Sequence, residues 1–207
     1  MSGRLTRWQP AAGATVIVAL LLAWPWDADA SWKLGVWSLR AIAVLLTLGG
    51  GFALDDAAAE IVASSPTTLR ARMLFRLGLS LAWAVPVWGV SLLVMAPWIA
   101  PVWLLWSSLE FAALFAAGLS VAALMARWYG QSEPGTVTST AVVGGWLVIF
   151  ALPGPLAMFT LRPQDLGPAH VRWGLLLGLG AVVLWATSRD PSHGRRRRGL
   201  ITTRYAP

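Results

Sequence analysis

The chain has 207 residues, of which 57% are hydrophobic and only 12% charged, and its formal net charge is +7. It contains no cysteine, which excludes disulfides, thiolate metal sites and cysteine nucleophiles. Its charges lie almost entirely in the gaps between about six long apolar runs, which excludes an ordinary soluble core and predicts an all-α polytopic membrane protein, one domain over 1–207. A bilayer core about 30 Å thick takes roughly 20 apolar residues per spanning helix, and a helix satisfies its own backbone there.

In chain order, the first span is expected at about 13–26, after Arg4 and Arg7 and ending at Pro25-Trp26-Asp27. It is short, and Ala28-Asp29-Ala30 resembles a signal-peptidase site, so a removed leader is the competing reading. The second span, 34–54, contains Arg40, and a polar stretch, 55–68, follows it. The third, 73–96, holds Pro86, where a kink is expected. Pro97-Trp98-Ile99-Ala100-Pro101 reads as a tight uncharged turn into the fourth span, 102–126, which carries Glu110. A polar loop leads to the fifth span, 139–153, broken at Pro153-Gly154-Pro155. The sixth is expected at 171–187, before a basic tail, 188–207, that includes Arg195 to Arg198.

Orientation follows from Lys and Arg near span ends. With six spans the termini share a side that holds twelve such residues (Arg4, Arg7, Arg70, Arg72, Arg76, Arg127, Arg189, Arg195 to Arg198 and Arg204), against three on the other (Lys33, Arg162 and Arg172). Both termini are therefore expected in the cytoplasm. The same distribution makes nucleic acid an unexpected partner and membrane lipid an expected one. Trp24, Trp26, Trp32, Trp98, Trp103 and Trp173 fall at predicted outer ends, and Trp8, Trp128 and Trp185 at inner ones, as interfacial anchors do. Trp37, Trp83, Trp88 and Trp146 lie deeper, either lining an apolar substrate path or simply packing.

Arg40 and Glu110 are the ionisable residues within spans, and such charges are costly unless partnered. Counted from Lys33 and Pro101, they lie about 10 and about 13 Å from the outer side at the helical rise. An ion pair bridging the second and fourth spans is expected; snorkelling of Arg40, or protonation of Glu110, is the alternative. Gly174 and Gly178 on the last span, and Ala113, Ala117 and Gly118 on the fourth, are small-residue faces that let helices approach, within one subunit by default.

In the polar stretch, Asp55 or Asp56 can cap a short helix over Ala57 to Ala63. Pro66 stops that helix at Ser65. Thr67 or Thr68 can cap the next span. An ordinary connecting loop is the plain alternative to a surface helix that a partner could push. The order Asp55-Asp56, Glu60-Ile61-Val62-Ala63, Ser64-Ser65-Pro66, Thr67-Thr68, Leu74 and Arg76 resembles the first cytoplasmic loop of the ATP-binding-cassette (ABC) type-2 permeases, over about a tenth of the chain. Ala58-Ala59 stands where that family has Gly-Thr, and Phe75-Arg76 where it has Gly-Lys. The resemblance implies a short cytoplasmic coupling helix between spans two and three, with Asp55, Asp56, Glu60, Ile61, Val62, Ser64, Ser65 and Pro66 as its ATPase-coupling residues. It also implies a re-entrant segment, Pro155 to Thr160, between spans five and six. The function it implies is that of an exporter half, and with the deep tryptophans it points to a hydrophobic or amphipathic substrate; the high Ala, Gly, Arg and Trp content points to a bacterial plasma membrane.

No phosphate-binding loop of the G-x-x-x-x-G-K-[ST] type is present, so ATP and Mg belong to a separate cytoplasmic ABC ATPase subunit, and no cofactor is expected on this chain. Two ATPases acting on two membrane halves imply a second permease subunit, identical or related. No catalytic or metal-binding set is expected: His170 and His193 fall in a predicted loop and the tail, and Pro191-Ser192-His193-Gly194 reads as solvated chain. An ion-coupled carrier, which needs a site near the midplane, and a non-transporting assembly or sensor subunit are the other classes.

Overall fold

The fold is seen in a computed structural model, which describes residues 9–24, 32–52, 69–128, 134–153, 156–161 and 165–188. The expected coupling segment, with Asp55, Asp56, Glu60, Ile61, Val62, Ser64, Ser65 and Pro66, lies outside these residues, as does the basic tail. Regular structure among the described residues is entirely helical: α1 (Gln9–Leu22), α2 (Trp32–Phe52), α3 (Leu69–Met95), α4 (Pro101–Trp128), α5 (Pro134–Ala151) and α6 (Leu166–Thr187).

Each helix falls on one predicted span, with shifted ends. The fifth was expected to start near 139; instead α5 starts at Pro134, because proline suits a first helical position whose N–H has no partner in any case. The polar residues behind it are accommodated within the helix: Ser139 and Thr140 donate their hydroxyls to the carbonyls of Gly135 and Thr136, at 2.8 and 3.1 Å. The sixth was expected from 171, but α6 starts at Leu166 and takes Gly167 and Pro168 into its first turn. α3 continues through Pro86. The segment 96–100 is the expected turn, and its Ile99 is buried against Gly35.

α2, α3, α4 and α6 are long and apolar enough to cross a membrane; α1 and α5 are shorter. α2 packs against α1, α3, α4 and α5, and α4 against α2, α5 and α6, so these two helices form the centre. Their outward neighbours expose leucine, valine and phenylalanine along their length: Phe75, Val85 and Leu93 on α3, Val148 on α5, and Leu175 and Leu179 on α6. A soluble monomer rarely exposes apolar surface on that scale, and lipid is the solvent that suits it. The chain is a helical membrane protein.

Contacts between named residues fix the helix directions. Arg40 meets Glu110 and Thr47 meets Gly118, while Ser120 meets Gly180 and Arg127 meets Thr187, so α2, α4 and α6 run parallel. Ala11 lies by Gly49, Ser80 by Gly50 and Thr138 by Gly51, so α1, α3 and α5 run the other way. The start of α1 and the end of α6 therefore fall at one end of the bundle, with Arg70, Arg72, Arg76 and Arg127. Lys33 and Arg172 belong to the opposite end.

Candidate functional site

Toward the Lys33 end, three helices and one irregular segment bring their polar groups to a single point. Arg40 stands eight residues into α2 and Glu110 nine into α4, which puts each about 12–13 Å from its helix start. That shared depth lets them face each other. Arg40 Nε donates to Glu110 Oε2 and Nη2 to Oε1, both at 2.8 Å, a two-pronged pair. The residues are 2% and 3% exposed, so Arg40 does not snorkel to a polar surface. Removing two charges from water is costly, and only such a geometry with further hydrogen bonds offsets it.

Those further contacts are present. Arg40 Nη2 also donates to the carbonyl of Thr160, at 3.2 Å. The guanidinium lies 4.7 Å from the ring centre of Trp37 and 4.9 Å from that of Phe159, so aromatic faces carry the cation where water does not. On the far side of Glu110 is His170, with Nε2 4.0 Å from Oε1. His170 is the fifth residue of α6, one turn beyond its start, and does not lie in a loop. It is 5% exposed, and its ring centre lies 3.8 Å from that of Trp106. Its Nδ1 is 2.6 Å from the carbonyl oxygen of Leu166. A carbonyl only accepts, so Nδ1 carries the hydrogen and donates it. Arg40 Nη1 and His170 Nε2 are buried without a hydrogen-bond partner among the described residues.

The segment 156–161 closes this end of the cluster. The sequence suggested a short re-entrant helix from Pro155 to Thr160. Pro155 lies outside the described residues, and from Ala157 to Leu161 the chain is irregular. Carbonyls without helical partners must be satisfied elsewhere, and here side chains do it. Arg172 Nη1 donates to Ala157 O at 2.8 Å, Trp173 Nε1 to Met158 O at 3.0 Å, and Arg40 to Thr160 O. Trp173 was expected as an interfacial anchor; it is instead fully buried and packs on Phe159, because its indole N–H is needed to hold this segment.

The four deeper tryptophans are divided among several partners. Trp83 donates to Thr15 Oγ1 at 3.0 Å and joins α3 to α1. Trp88 donates to Ser108 Oγ at 3.3 Å and stacks on Phe111, joining α3 to α4. Trp37 and Trp146 share a neighbour, Phe150, each at 5.7 Å between ring centres. Trp37 alone of the four reaches the charged cluster.

The small-residue faces also divide. A Cβ on Gly118 would lie 2.5 Å from Thr47 Cγ2, and one on Gly180 3.1 Å from Ala116 Cβ, so these glycines permit the central contacts. A Cβ on Gly174 or Gly178 would meet nothing within 4 Å among the described residues. Turning α6 by its registry explains this: Trp173, Gly180 and Thr187, at intervals of seven, form the buried stripe, and the two glycines lie off it.

Among the described residues no cluster of histidine and carboxylate side chains large enough to hold a metal is present. What the arrangement can do chemically is bind a proton, hold or release a backbone segment, and carry charge within an apolar bundle. Comparison with known proteins gives no matching family model, no matching characterised protein and no matching solved structure.

Proposed function

We propose that the chain is the membrane-spanning permease subunit of an ABC exporter, which moves a hydrophobic or amphipathic molecule with ATP hydrolysed by a separate cytoplasmic subunit. The observation that carries the reading is the arrangement of helix ends. α2 ends and α3 begins at the arginine-rich end of the bundle, and the acidic stretch with Glu60-Ile61-Val62 and Ser64-Ser65-Pro66 connects them there. An excess of arginine marks the cytoplasmic end of a membrane bundle. On this reading the short acidic stub between the two helices transmits force from a soluble ATPase. The second permease half is another copy or a related chain. The cell membrane is bacterial on composition, which is rich in Ala, Gly, Arg and Trp.

The test is reconstitution with a cytoplasmic ABC ATPase encoded beside this chain. ATP-dependent export of a hydrophobic dye from vesicles is expected, and Glu60→Arg should abolish transport while leaving insertion and ATP hydrolysis in place. Transport unchanged in Glu60→Arg, or no association with the ATPase, overturns the reading.

One observation favours a second reading, an ion-coupled carrier: Arg40, Glu110 and His170 form a buried ionisable cluster. Dye movement driven by a proton gradient without any ATPase decides for it.

A further inference from the structure

The geometry points to a proton-binding site shared by His170 and Glu110, whose occupancy controls the grip of Arg40 on segment 156–161. It does not depend on which energy source drives the chain.

The four groups form a relay: His170 Nε2, Glu110 Oε1, Arg40 Nη2 and the carbonyl of Thr160, with separations of 4.0, 2.8 and 3.2 Å. Since Nδ1 of His170 donates to Leu166, a neutral ring presents a bare lone pair at Nε2, and an added proton has one place to go. In the neutral state two acceptors, Nε2 and Oε1, face each other across 4.0 Å, and no bond joins them. Once Nε2 carries a proton, the imidazolium is drawn to the carboxylate, and a closed N–H···O bond needs about 2.9 Å. The gap must shrink by about 1 Å, shared between the His170 ring and the Glu110 carboxylate. Both faces of Oε1 are then in use, and two cations flank one anion.

The other charged groups do not relieve this. Arg172, on the same helix as His170, is turned to the Ala157 carbonyl, and Asp165 is exposed at the start of α6. Lys33 lies two turns away on α2, against Trp32. α5 and segment 156–161 carry no ionisable side chain among their described residues, and the arginines of α3 lie at the opposite end. The weakest link in the relay is Arg40 Nη2 to Thr160, the longest of that nitrogen's bonds. As Glu110 moves toward His170, the guanidinium follows its carboxylate or loses it. The two 2.8 Å bonds to Glu110 hold the fork more tightly than the 3.2 Å bond to Thr160, so Nη2 follows the carboxylate and draws away from the Thr160 carbonyl. Protonation therefore loosens segment 156–161 at this end of the bundle, and deprotonation clamps it.

The composition makes the test direct. The chain has two histidines, so His193→Gln leaves His170 as the sole histidine; it has no cysteine, so Leu156→Cys, at an exposed residue of the segment, supplies the sole thiol. The full chain is reconstituted in bilayers and taken from about pH 8 to about pH 5, the range in which histidine ordinarily changes charge. Nitrogen-15 NMR of labelled histidine should show Nδ1 alone protonated at the upper limit and both nitrogens at the lower. A nitroxide on Leu156→Cys should become more mobile over the same range, and that response should be lost in His170→Phe and in His170→Gln. Two replacements guard against one misfolding, which size-exclusion profiles reveal. A histidine that stays neutral throughout, a nitroxide that ignores pH, or an undiminished response in both His170 variants overturns the proposal.

Discussion

At the scale of single residues, the Arg40–Glu110 pair is the costliest feature of the protein and so the most sensitive to change. Removing one partner leaves a buried charge without the counter-ion that holds it by two hydrogen bonds. Glu110→Ala and Arg40→Ala should each destabilise the folded chain by about 3–5 kcal/mol. Replacing both residues by leucine removes both desolvation costs, and Arg40→Leu/Glu110→Leu should be the more stable of the variants. Thermal unfolding in detergent checks the order; a double variant no better than the singles would show that the pair is not the interaction at stake. Arg40→Lys keeps the charge but loses the planar fork that holds Glu110 and Thr160 together, and it should behave much more like the alanine variant than a conservative change would suggest. The pair was legible in the sequence because two intramembrane charges at equal depth have few other ways to be satisfied. His170 was not. Gly167 and Pro168 punctuate the chain just before it, and both normally signal a loop. Only the tolerance of a first helical turn for proline carries α6 past them and turns the imidazole inward.

At the scale of helices, the sequence tells which segments are helical far better than which faces meet. The apolar runs gave the helices to within a few residues. Small residues spaced by four mark a face that can be approached closely, but they do not say whether anything approaches it. Gly118, beside Thr47 and Val142, and Gly180, beside Ala116, are the glycines on which α2, α4 and α6 close. Gly118→Leu should force the centre apart and cost about 1–3 kcal/mol in thermal or denaturant stability. Gly178→Leu should be tolerated by the isolated chain, since no neighbour lies within 4 Å. Equal losses in the two variants would contradict the helix registry. The four deep tryptophans teach the same lesson. Their depth was readable; their partners, Thr15 for Trp83 and Ser108 for Trp88, depend on rotations about helix axes that no apolar run encodes.

At the scale of the whole molecule, the alternating helix directions and the arginine distribution together make a claim about sidedness. α2, α4 and α6 end where α1, α3 and α5 begin, so every connection from that end carries the same sidedness as the stub after α2. Among the described residues α1 is the shortest helix, about 21 Å at the helical rise. It packs on α2 and α3, with Ala11 beside Gly49 and Trp83 bonded to Thr15. With α1 seated in this way, the start of α1 and the end of α6 lie at one end of the bundle. On the positive-inside rule we propose that this end is the cytoplasmic one. Single cysteines test it in a chain that has none. An impermeant thiol reagent should label Asp165→Cys, exposed at the Lys33 end, in intact cells, and Ser192→Cys, in the basic tail, only after permeabilisation. The reverse pattern would put the Glu60 stub outside the cell, beyond the reach of any ATP-hydrolysing partner. Labelling of both sites in intact cells would mean that α6, the helix between them, does not cross. In the expected pattern the two ends of the bundle have separate tasks: the arginine-rich end offers the connection through which a motor can act, and the Arg40–Glu110–His170 end holds segment 156–161 until a proton loosens it.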